Sequence, residues 1–84
     1  MPNVIYKYPV KSGKVLIPSY AHILTAEFQG SQLCLWADVN LDIDDTDREI
    51  LVSIVPTGSA PPPKHMYLKT CFQGAHVWHI YYKL

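Results

Sequence analysis

Thr57-Gly58-Ser59 is the stretch of this chain best suited to hold a ligand, and it opens a proline-rich run that ends at Lys64. Glycine has no Cβ, so a ligand can approach the main chain closely at Gly58. Successive amide N–H groups in such a turn form an anion-binding nest, and the Thr57 and Ser59 hydroxyls add donors. Lys64 and Arg48 supply positive charge, and Trp78 supplies a ring on which a base can stack. This set points to a phosphate or nucleotide site, placed at a boundary between subunits. The competing reading is a stiffened connection with no ligand. The stretch from Pro56 to Pro63 holds four of the seven prolines, and a proline run is extended and conformationally pre-ordered.

Other side chains offer less chemistry. His76 and His79 are three apart on a predicted strand, which sends them to opposite faces and prevents chelation of one metal without a bulge. His22 and His65 lie elsewhere in the chain. Asp42, Asp44, Asp45 and Asp47 crowd one loop, but the central glycine of a calcium loop is missing, so a solvated turn is expected. No serine stands beside a histidine in a nucleophile motif. No pair of carboxylates occurs outside the aspartate loop to share acid and base roles. The expectation is a non-catalytic protein with no metal and no cofactor.

The bulk composition bounds the class. Eighty-four residues make a single domain, 1–84. Hydrophobic residues are 49% of the chain, which excludes a disordered protein. Charged residues are only 17%, low for a small monomer whose surface must stay wet. Some surface is therefore expected to be sheltered by further copies, as a homo-oligomer. Net charge is zero, so the basic stripe of an extended nucleic-acid binder is absent. No signal peptide or apolar run of membrane-spanning length is visible, which predicts no membrane partner. Cys34 and Cys71 fall on separate predicted strands. Two buried thiols are expected, a disulfide across strands being the alternative.

Residues of strand type dominate, and no long helical period occurs. Val4–Tyr8 and Lys14–Ile17 read as short strands ended by Pro9 and Pro18; the pair suggests a hairpin, while the prolines suggest sheet edges. His22–Phe28 and Gln32–Val39 flank Gln29-Gly30-Ser31 as one hairpin. Arg48–Val55 has apolar residues on both faces and reads as a central strand. Met66–Phe72 and His76–Leu84 flank Gln73-Gly74-Ala75 as a second hairpin. The segment Ile23–Gly30 echoes Tyr67–Gly74, each ending Phe-Gln-Gly ahead of a strand with one tryptophan. Six or seven antiparallel strands built from hairpins predict an all-β fold, a small barrel or sandwich.

Four stretches carry a resemblance: Ile5-Tyr6-Lys7-Tyr8-Pro9, Phe28-Gln29-Gly30 leading to Leu33-Cys34-Leu35-Trp36-Ala37, Thr57-Gly58, and Val77-Trp78-His79. In this order they resemble a family of short phage and prophage proteins of unknown function. Relatives in that family carry Gly-Thr-Gly-His-Pro where this chain keeps Thr57-Gly58 but lacks the histidine. The resemblance implies a phage-related origin and a place in the host cytoplasm. Combined with the residues above, it gives the expectation of an accessory protein that counters host defence by sequestering a nucleotide-type signal. The alternatives are a protein inhibitor of a host defence factor, working through its tyrosines and tryptophans, and a minor virion or assembly part.

Overall fold

The computed structural model describes residues 3–43 and 46–84. Seven strands follow one another: β1 (Asn3–Pro9), β2 (Lys14–Pro18), β3 (His22–Gln29), β4 (Gln32–Asn40), β5 (Asp47–Pro56), β6 (Met66–Gln73) and β7 (His76–Lys83). They form two antiparallel sheets, ordered β1-β4-β3 and β2-β5-β7-β6. The sheets face each other as a sandwich and do not close into a barrel. Side chains alternate across each strand, so one face of each sheet meets the other. Ile17, Leu35, Ile50 and Ile80 are completely buried there, with Val15, Ala26, Leu33, Val52 and Cys71.

The first two strands do not form the hairpin suggested by their sequence. β1 pairs with β4 and β2 with β5, so the chain changes sheets between Pro9 and Lys14. Main-chain bonds tie that corner to both layers. Val10 N–H donates to the Leu33 carbonyl (2.9 Å), and Val52 N–H donates to the Gly13 carbonyl (2.9 Å). The prolines have the edge positions expected of them, since β1 and β2 each end a sheet. β5 is central, between β2 and β7. The aspartate loop lies partly outside the described residues, because Asp44 and Asp45 do.

The two predicted hairpins, β3–β4 and β6–β7, share a design. Each turns on a glycine at positive φ, Gly30 at 63° and Gly74 at 58°, in a two-residue loop of the kind that fits strand twist. Each then slips register at one leucine, between Ile23 and Thr25 and between Tyr67 and Lys69. The bulged residues, Leu24 and Leu68, occupy matching places in the sequence echo. The two hairpins nevertheless face opposite ways. Phe28 packs against the core, whereas Phe72 is 70% exposed.

The outer edges of β3 and β6 meet and are joined by side chains. Lys69 Nζ lies 3.0 Å from Glu27 Oε2, Gln73 Nε2 donates to the Gly30 carbonyl (3.4 Å), and Cys71 Sγ–H donates to the Ala26 carbonyl (3.5 Å). Cys34 and Cys71 are both free and buried. Burial, then the Glu27 carboxylate, push the Cys71 thiol up to about 11, so at neutral pH it is the unreactive thiol. Thiol-specific reagents at neutral pH are expected to label neither cysteine at an appreciable rate until denaturant is added. Rapid labelling of the folded protein would contradict this packing.

The hydrogen bond from Lys69 holds the Glu27 carboxyl below its ordinary value of 4.5, against a smaller opposing effect of burial. A depressed folded-state value means that the unfolded chain takes up the proton first as pH falls. The seam's contribution is therefore complete above 4.5 and fades as pH falls through the folded-state value. Both side chains are well exposed, so the effect is screened and small. Urea titrations should show Glu27→Gln lowering the unfolding midpoint at neutral pH, with the gap to wild type closing in acid.

Candidate functional site

The outer face of the four-stranded sheet carries a continuous polar chain. Along β7, Val77, His79 and Tyr81 point outward, while Trp78, Ile80 and Tyr82 point to the core. The register sets Val55, His79 and Thr70 side by side across β5, β7 and β6, and likewise Ser53, Tyr81 and Tyr67. His79 Nδ1 lies 3.0 Å from Thr70 Oγ1, which lies 2.7 Å from Tyr67 Oη. On the other side His79 Nε2 lies 2.8 Å from Thr57 Oγ1. One imidazole thus links the end of β5 to β6 through two threonine hydroxyls.

A neutral imidazole has one donor and one acceptor nitrogen, and a hydroxyl serves as either. The chain therefore has two self-consistent polarities. When Tyr67 donates to Thr70 and Thr70 to His79 Nδ1, His79 Nε2–H donates to Thr57 and the Thr57 hydroxyl proton is left for a ligand. When every bond is reversed, the Tyr67 proton is left instead. The arrangement can present a donor at either end without leaving a ring nitrogen unpaired.

Apolar and aromatic groups frame this chain. Tyr67 and Tyr81 meet edge to face at 5.6 Å. Phe72, opposite Val77, is the most exposed large apolar side chain among the described residues at 70%. Val55 is buried although it belongs to the outer face. Charge is kept to the margins of the face, at the Lys14–Glu49 pair (3.8 Å) and at Lys83.

The residues singled out in the sequence are only partly brought together. Thr57 is in the polar chain. Gly58 and Ser59 follow it in an exposed turn closed by Ser59 N–H donating to the Pro56 carbonyl (3.2 Å). Lys64 is exposed at the far end of the same loop, in a left-handed conformation (φ 62°). Arg48 does not join them. It pairs with Ile17 at the opposite end of β5, roughly 26 Å from Pro56 at strand rise. There it lines a shallow cavity of about 130 Å³ with Ala21, His22, Ile23, Tyr82 and Leu84. Trp78 neighbours Pro56 in register but points inward, its Nε1–H donating to Gln73 Oε1 (3.1 Å) and His76 stacked on it at 5.5 Å. Stacking surface on the outer face comes instead from Phe72, Tyr67 and Tyr81. The sequence set His79 aside as a metal ligand and did not join it to Thr57, because that link follows only from pairing β5 with β7. Among the described residues no three His, Cys, Asp or Glu side chains converge as metal ligands.

Thr57→Val and His79→Phe are each expected to cost about 0.5–1.5 kcal/mol in urea unfolding. Their double mutant should cost less than the sum, because the two residues share one bond. Strict additivity would mean that the bond contributes nothing.

No curated protein and no solved structure matches this chain. The family model of a domain of unknown function, DUF7352, matches residues 1–84, and the chain belongs to that family.

Proposed function

We propose that the protein is a non-catalytic receptor for a nucleotide-type ligand, bound on the outer face of β5, β7 and β6. The Tyr67–Thr70–His79–Thr57 chain within an aromatic frame carries this reading. A nucleobase has a flat apolar face and a hydrogen-bonding edge. Tyr67, Tyr81 and Phe72 offer stacking worth about 1–3 kcal/mol per base, and the reversible hydroxyl at Thr57 or Tyr67 meets an edge acceptor. The turn amides at Gly58 and Ser59, on the loop bordering this face, suit a phosphate, and Lys64, at the far end of that loop, adds positive charge beside the same face. Zero net charge favours a compact ligand over a polymer. A phage-related origin, which the sequence resemblance implies, would make a host signalling nucleotide the class to sequester, in the host cytoplasm, as a counter to defence.

Phe72 supports a second reading. An aromatic ring exposed at 70% beside uncharged neighbours is the kind of anchor that protein interfaces use. In that case the same face blocks a host defence protein.

Thermal unfolding with cyclic di- and trinucleotides separates the two readings. A ligand at one hundred times its Kd should stabilise the fold by about 2.7 kcal/mol, and Tyr67→Ala should remove the shift while leaving the unliganded protein folded. Unchanged unfolding with every nucleotide tested would overturn the first reading. Loss of binding to a purified host factor in Phe72→Ala would then carry the second.

A further inference from the structure

Two sheets have four edges, and three of them are closed. The β3 and β6 edges meet each other through Lys69, Gln73 and Cys71. On β2 the residues facing away from β5 are Lys14, Leu16 and Pro18. Lys14 already exchanges both main-chain bonds with Lys11 (3.0 Å each), and Pro18 has no N–H. Only Leu16 is left there, too little for a ladder.

β1 is different. Val10 N–H donates to Leu33, and antiparallel ladders alternate. The main-chain groups of Val4, Tyr6 and Tyr8 therefore face β4, and those of Asn3, Ile5 and Lys7 face outward. Pro9 sits at an outward position, where its missing N–H costs the β4 ladder nothing. Three successive outward positions make a row of unpaired donors and acceptors, the kind of edge that recruits another strand.

We propose that this edge pairs antiparallel with β1 of a second copy of the chain, across a two-fold axis at Ile5. Ile5 then faces Ile5 of the other copy, and Asn3 faces Lys7 in both directions. In this register every outward N–H of the three residues meets an outward carbonyl. The only charged side chain, Lys7, opposes an amide and not another lysine. Ile5, 63% exposed, lies against its own counterpart, and Tyr6, 45% exposed, comes beside Val4 of the other copy. A strand that matches itself at main-chain, charge and apolar levels is the requirement of an isologous interface. The product is one six-stranded sheet in the order β3-β4-β1-β1-β4-β3. The low charged fraction, 17%, agrees with a shared surface. This inference is independent of the ligand reading, because β1 belongs to the other sheet.

Sedimentation equilibrium of the full chain tests it. Wild type should form a dimer that dissociates on dilution. Ile5→Pro removes one outward donor and spares the β4 ladder, so it should weaken dimerisation at least tenfold with an unchanged unfolding temperature. Ile5→Lys and Ile5→Glu should each be monomeric and folded, and an equimolar mixture should recover a heterodimer. A wild type that stays monomeric at millimolar concentration overturns the proposal. So does an Ile5→Pro protein that dimerises like wild type, or folded Lys and Glu variants that fail to combine.

Discussion

A single layer of apolar side chains holds this molecule together. Ile17 and Ile50 from one sheet meet Leu35 and Ala26 from the other, with Ile80 and Cys71 completing the layer. A chain this short hides only about 60% of the surface that it exposes when unfolded, and no helix among the described residues covers either sheet. Each sheet therefore keeps one face in solvent. The edges become the remaining problem, and three are handled individually: side-chain bonds at β3 and β6, and a bonded corner and a proline at β2; β1 has only the proline at its end. Everything that this protein can present to a partner follows from what the one-layer core leaves uncovered.

The paired hairpins show how the same local chemistry yields a core in one place and a surface in another. In β3–β4, Ala26, Phe28, Leu33 and Leu35 turn inward. The matching positions of β6–β7 are Thr70, Phe72, Val77 and His79, and they turn outward. Turn, bulge and register are shared, so local backbone geometry does not decide the face. Hydrophobic content does. In β6–β7 the alternate set, Cys71, Trp78, Ile80 and Tyr82, is the greasier one and takes the interior. The outer set keeps a phenylalanine, a valine and two tyrosines while gaining threonine and histidine, so this face mixes apolar and hydrogen-bonding groups with no charge at its centre.

Local signals in the sequence were enough for the strands. Period-two patterning and the two Phe-Gln-Gly turns locate both hairpins, and apolar residues on both faces mark β5 as central. Partnerships across long sequence distances were not legible. β1 and β2 look like a hairpin because a turn signal separates them, yet Val10 and Gly13 find carbonyl and amide partners on different sheets. The candidate site divides the same way. Thr57 was singled out from its own loop, but His79 joins it only once β5 lies beside β7. Arg48 shares a strand with the site and is removed from it by that strand's length, and Trp78 is removed by parity. Spacing along one strand is readable from sequence; which strand lies next to it depends on packing the whole chain.

The placement of β1 bears on how a ligand would be held. The sequence suggests a pocket at a boundary between subunits, with Lys64 and Arg48 adding charge. The polar chain at His79 lies on the outer face of one sheet toward β6. The open edge belongs to the other sheet and packs near β2. A dimer through β1, as proposed, would not use the sheet that carries β5, β6 and β7, so each copy would keep its own polar chain and aromatic frame. Affinity at each proposed site would then rest on stacking and on the Thr57 turn, and two such sites, one on the four-stranded sheet of each copy, would add avidity only for a partner long enough to span them. A mononucleotide gains nothing from such an arrangement, whereas a repeating protein surface does. The geometry of such an assembly would therefore weigh on the choice between ligand classes as strongly as the chemistry of the face.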